Sequence, residues 1–238
     1  MIILAIDTTE KRGSVAVVRD RLCLAAVKHP WELDYSAWLL PAVQKVSAEC
    51  QTKIEQLDLL AVATGPGSFT GLRVGLTTVK AWADVYGKPI AGVSRLEAMA
   101  RSVPMQLELV AASYDGQRGQ LFCALYRQVE GRMLRVGDEL VAAPEEFISL
   151  VDGEAGRQTV GWVCLDPGLI QDSATLQGRL KTGDQIVVSP DELAPAIAIL
   201  GEERAYQGKL SNSLELDANY VRRSDAEIFW KDSGSRGR

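Results

Sequence analysis

The chain has one histidine, four cysteines with no C-x-x-C spacing, and no pair of adjacent glycines. Each shortage excludes a chemistry. A single histidine, His29, cannot form a His-x-x-x-His metal pair, and neither H-E-x-x-H nor G-x-S-x-G occurs. His29-Pro30-Trp31 reads as a strand end with a structural histidine. Cys23, Cys50, Cys123 and Cys164 are scattered, as small apolar residues are in a cytoplasmic protein, not as disulfide or zinc ligands are. Long hydrophobic runs are also missing. "MIILAI" and "LDLLAVA" fall far short of the roughly 18 residues needed to span a bilayer. Ile2 to Ile6 lacks the basic lead-in of a secretion signal, and Asp7 ends it. The expectation is a cytoplasmic protein without membrane contact.

What is present is ample core material. Of 238 residues, 47% are hydrophobic and 24% charged, enough for one large globular domain or two small ones. The net charge of −5 argues against a broad nucleic-acid footprint, which needs a concentrated positive field. Arg222, Arg223, Lys231, Arg236 and Arg238 are a local exception, read as a solvated tail whose contact with nucleic acid stays open.

The N-terminus reads as three strands: "IILAID", then "SVAVVRD" after the polar turn "TTEKRG", then "LCLAAVKH". From about Tyr35 to Cys50, Leu39, Val43, Val46 and Cys50 recur on one helical face; Pro41 is tolerable if Ser36 caps that helix. "LDLLAVAT" is a strand apolar on both faces, as in a covered sheet. A second helix runs from about Thr70 to Tyr86 and Gly87 can end it, followed by the strand "PIAGVS" and the helical "RLEAMARSV". This order, β-β-β-α-β-α-β-α, is that of one half of the actin and sugar-kinase type of fold (ASKHA, ribonuclease H-like), an α/β architecture of two lobes. Pro104 marks the join, giving an N-terminal lobe of 1–104 and a smaller C-terminal lobe of 105–238. In the latter, "LELVAASYD" and "GQLFCALYRQ" pair as strands, followed by "PEEFISLV", "TVGWVCL", "QIVVS" and a helix within "DELAPAIAILGEERAYQGK".

Between strand and helix lies "TGPGSFTGLRVG", four of whose twelve residues are glycine. A P-loop requires lysine after its last glycine, but Leu72 follows Gly71; the dinucleotide pattern fails because Thr70 stands where its third glycine belongs. Amides at a helix N-terminus can still meet an anion, with Ser68 or Thr70 as the cap. The other reading is architectural: Gly71, Gly75 and Val79 make a flat stripe for close packing or a partner helix. The first turn offers Asp7, Thr8 and Thr9, the residue types that wrap phosphate in actin-like folds, and Asp7 could hold magnesium through water. With Gly65, Gly67 and Ser68 these are the candidate phosphate-binding residues. They make at best half a site, because adjacent glycines for an adenine are missing and Asp166-Pro167-Gly168 has a proline where a free amide is wanted. Asp115 reads as a turn residue with Gly116.

"ILAIDTTEKRGSVAV", "GPGSFTGLRVG", "GVSRLEAMA" and "YVRRSDAEI" together resemble the TsaB (YeaZ) family over nearly the whole chain. "DGQRGQLF" resembles the family's DARxGEVY segment, with Gln117 and Gln120 replacing its arginine and glutamate. The resemblance implies an accessory subunit without catalytic residues or metal, serving the enzyme that makes threonylcarbamoyladenosine in tRNA. It implies dimerisation, or pairing with a TsaD-type catalytic subunit, through first-lobe helices. A TsaE-type ATPase would join, and ATP and magnesium would belong to the complex, not to this chain alone. tRNA would be met only through that complex. By the same resemblance, Ser36, Leu39, Leu40 and Val43 on one helix and Leu72, Gly75, Leu76 and Val79 on the next are the interface candidates. The alternative is an ATP-dependent kinase or hydrolase of the same fold.

Overall fold

The computed structural model describes residues 1–103 and 107–221. Two sheets are built on one plan. In the first, β1 (Ile2–Asp7), β2 (Ser14–Arg19) and β3 (Leu22–Lys28) form an antiparallel meander. α1 (Tyr35–Glu49) crosses to β4 (Leu59–Gly65), and α2 (Phe69–Tyr86) to β5 (Ile90–Ser94), both strands parallel to β1, giving the order β3-β2-β1-β4-β5. After α3 (Arg95–Arg101), β6 (Leu109–Asp115), β7 (Leu121–Val129) and β8 (Arg132–Ala142) repeat the meander. α4 (Pro144–Ala155), β9 (Val160–Cys164), α5 (Ala174–Leu180) and β10 (Gln185–Val188) complete the order β10-β9-β6-β7-β8. The fold is α/β, two-lobed and actin-like, as the strand and helix order predicts.

Alternation sorts each strand's side chains. On β1, Leu4 and Ile6 pack with Trp38, Leu39, Val43 and Val46 of α1 and Leu76 and Val79 of α2. Ile3 and Ala5 face the opposite side, where α3 and α6 (Ala194–Tyr206) lie. That second cluster continues into Val110, Ala112, Tyr114 and Tyr126 of the other sheet, so one core spans both lobes. α4 and α5 cover the far face of the second sheet around Trp162 and Phe147.

Three expectations change. Residues 105–238 are not one separate unit: α6 packs on β1, β2, β4 and β5. The chain beyond it bridges Ser211 to Ile90 and buries Leu216 in the first lobe's core. The join at Pro104 and the basic residues from Arg222 onward lie outside the described residues. α1 is capped at Asp34, not Ser36, and Pro41 sits within it on the exposed side. β8 and α5 add to the expected elements. β8 is half exposed with broken register against β7, and α5 has seven residues, too short for a helical period to show.

The second lobe is pinned by a buried arginine. Arg179 donates to Asp184 Oδ2 at 2.7 Å, Asp152 Oδ1 at 2.8 Å and the Gln158 carbonyl at 2.7 Å. Asp184 in turn accepts from Val160 N and Trp162 Nε1, joining α5, β9 and β10. Arg179→Ala removes the guanidinium from the buried Asp184 carboxylate and is expected to lower unfolding free energy by about 3–5 kcal/mol, as breaking one side of a buried pair does. Urea unfolding measures this.

Candidate functional site

β1 ends at Asp7, and the next two residues run directly across the start of α2. Ser68 caps that helix, accepting from Gly71 N at 3.3 Å, and Gly87 ends it in the left-handed conformation. A Cβ on Gly71 would lie 2.0 Å from the Thr8 carbonyl oxygen, one on Gly75 2.4 Å from Thr8 Oγ1, and one on Gly67 2.1 Å from the Thr9 carbonyl oxygen. These glycines are therefore the slots in which the Thr8-Thr9 backbone rests. Thr8 Oγ1 donates to the Gly71 carbonyl at 2.7 Å, and Ser68 N to the Thr9 carbonyl at 2.6 Å. Of the two uses the small-residue stripe suggested, close packing or a partner helix, Gly71 and Gly75 show the first, against the chain's own first turn.

The two candidate phosphate cradles thus fill each other. Asp7 is fully buried; its Oδ1 accepts from Thr9 N at 3.0 Å and Thr9 Oγ1 at 2.7 Å, and its Oδ2 pairs with the equally buried Arg95 of α3. Arg95 lies over the Tyr114 ring, 5.3 Å from its centroid. Tyr114 donates to the Pro66 carbonyl and Tyr35 to the Glu10 carbonyl. Burial, chiefly, pushes both phenols above their ordinary range, so both stay neutral donors. Asn219 N donates to the Thr64 carbonyl at 2.7 Å, holding the loop from a third side.

Above this knot an interlobe cleft of about 430 Å3 opens between the first turn (Thr9, Glu10, Lys11) and the β6–β7 hairpin carrying Gln117 and Arg118. Asp115 makes the expected turn, accepting from Gln117 N at 2.7 Å. Magnesium-nucleotide chemistry, which the fold class implies, would need a free strand-end carboxylate and free turn amides. The groups here do not fit: Asp7, Thr9 N and Ser68 N are each already engaged within the chain.

The other candidates separate by burial. Of the interface candidates, Leu39, Val43, Leu72, Leu76 and Val79 are buried in the first lobe's own core, and Gly75 lies under Thr8. Ser36 and Leu40 are exposed. Leu40 borders an open, mainly apolar groove of about 800 Å3 between α1 and α2, with Trp82 and Tyr86 on its far wall. His29 is structural: its ring stacks on Tyr35 at 4.1 Å and Nδ1 meets the Lys11 carbonyl at 3.0 Å. Cys123 and Cys164 are buried as expected, but Cys23 is exposed. Among the described residues no three or more acids, histidines and cysteines gather as a metal site, and no helix is long and apolar enough to cross a membrane.

Sequence reasoning passed over Arg95, Glu10, Tyr35, Tyr114 and Asn219. One signal was available: Arg95 opens a helix, where the macrodipole disfavours a cation unless something holds it there.

The paired sheets and the turn locked into the glycine loop define a two-lobed protein of the actin and sugar-kinase class. The family model described as "TsaD: tRNA N6-adenosine threonylcarbamoyltransferase" matches residues 32–160, over half the chain. A Bacillus subtilis relative, "tRNA threonylcarbamoyladenosine biosynthesis protein TsaB", is 29% identical across 98% of this chain and 99% of its own. The Escherichia coli protein of that name is 29% identical across 82% and 85%. A Pseudomonas aeruginosa structure, described as an uncharacterized protein with similarity to peptidase YEAZ, superposes with a TM-score of 0.77. It is 22% identical and covers 93% of this chain and 99% of its own, a likeness of fold. The chain belongs to this wider family and, within it, to the TsaB (YeaZ) family.

The slot geometry separates two glycines. Gly75→Ala is expected to cost about 1–3 kcal/mol by overpacking, although alanine is the better helix former by about 1 kcal/mol. In a Thr8→Ala background the offending hydroxyl is gone, and the same change should be neutral or stabilising. Gly71→Ala meets a backbone oxygen and should stay costly in both backgrounds. Urea midpoints across the double-mutant cycle read the coupling; an equal cost for Gly75→Ala in both backgrounds contradicts the packing.

Proposed function

We propose that the chain is a non-catalytic scaffold and activator subunit in tRNA threonylcarbamoyladenosine biosynthesis, binding a TsaD-type catalytic subunit. The carrying observation is the inward-turned first lobe. Asp7, the residue best placed for chemistry, is buried and paired, the Ser68 amide is bonded to the Thr9 carbonyl, and the Gly71 amide to the Ser68 hydroxyl. The printed names of the Bacillus subtilis and Escherichia coli relatives supply the pathway.

The surface on offer is the groove between α1 and α2. Leu40 is 52% exposed there and Trp82 and Tyr86 are part-buried, an arrangement suited to a helix from a partner. The same face would serve a homodimer when the partner is missing. A TsaE-type ATPase, ATP, magnesium and tRNA enter at the level of the assembly, in the cytoplasm.

Purified chain and TsaD-type subunit should form a 1:1 complex. Leu40→Asp should weaken it at least about tenfold, or about 1.4 kcal/mol, with the thermal midpoint unchanged. Failure to associate, together with tRNA modification surviving deletion of the gene, would remove this reading. Sub-millimolar Mg-ATP binding with turnover by the isolated chain, measured by calorimetry, would favour the kinase or hydrolase alternative.

A further inference from the structure

The guanidinium of Arg95 sits in an oxygen cage. Asp7 Oδ2 touches its NH1, Thr9 Oγ1 lies 3.3 Å from the same nitrogen, and Glu10 Oε2 lies 3.8 Å from NH2. Arg95 is wholly buried, yet its Nε and NH2 have no hydrogen-bond partner. A planar fork with five donors is poorly used here, since only NH1 finds acceptors at bonding distance. The cage itself is two carboxylates and a hydroxyl, hard oxygens of the kind that hold magnesium, manganese or calcium. Arg95 contributes one positive charge against two negative ones, and Glu10, which is only part-buried, carries the remainder toward the interlobe cleft.

We infer that Asp7, Thr9 and Glu10 form a divalent-cation cage whose cation is supplied by the chain itself, as the Arg95 guanidinium. The side chain neutralises the strand-end carboxylate, keeps a metal out, and leaves the cleft without the ion that a magnesium-nucleotide would bring. This goes beyond the scaffold reading and stands apart from it: a partner could dock on α1 and α2 whether or not the cage holds a metal.

The test is manganese binding to the full chain, followed by electron paramagnetic resonance and by thermal unfolding. The wild-type chain should show no saturable site up to about 1 mM, the weak end of protein sites for divalent ions. Arg95→Ser should bind one Mn2+ with a Kd of about 0.1–1 mM, gain thermal stability from it, and lose both in the Arg95→Ser/Asp7→Asn double variant. A folded Arg95→Ser chain that binds no Mn2+ overturns the inference, as does wild-type binding abolished by Asp7→Asn. An Arg95→Ser chain that stays unfolded in excess Mn2+ also overturns it, because an ion in the cage would restore the lost charge. Association with the TsaD-type subunit, measured in parallel, reports on the scaffold reading separately.

Discussion

The crossing of Thr8 and Thr9 over Gly67, Gly71 and Gly75 is the constraint on which the rest of the first lobe depends. A side chain at any of the three would force a backbone or hydroxyl oxygen to move, since the nearest atoms lie 2.0–2.4 Å from where each Cβ would stand. The close approach fixes where β1 ends, and so fixes Asp7 against Arg95. It consumes the Ser68 amide, a donor that an anion could otherwise have used at the start of α2. Tyr114 and Asn219 then bind the outer side of the same loop, tying the second lobe and the returning chain to it.

The first lobe was legible because its signals are local. The short apolar runs "IILAI", "VAVV" and "LLAVA", the Ser68 cap and the Gly87 stop each follow from residues a few positions apart. What sequence could not supply was the identity of the group filling each slot. The stripe of small residues announces a close approach but not by whom, and here the occupant comes from over sixty positions away. The apolar faces of α1 and α2 posed the same problem. Leu39 and Leu40 are neighbours in sequence, but only Leu40 escapes the core, because α1 lies on β2 and β3 along the other edge. The return of α6 to the first sheet is a tertiary event with no local mark. Arg95 was easily missed because a lone arginine at the start of a short helix reads as a surface residue.

The fold carries the geometry of a phosphate-handling protein with its reactive groups turned on one another. The strand-end carboxylate of Asp7 and the amides of Thr9, Ser68 and Gly71 are each engaged inside the chain. Buried polar groups satisfied this way make the lobe rigid without making it reactive. The open apolar groove on α1 and α2 lies away from the knot, so the docking proposed there would not compete with internal packing for the same residues.

The central claim is that the glycine loop serves packing, and the Ser68 amide reports on it most directly. Native-state hydrogen exchange should find this amide protected to a degree comparable with the amides of β1, and unchanged by Mg-ATP. Exchange near the rate of an unprotected amide in the isolated chain, slowing only when Mg-ATP is added, would contradict the account.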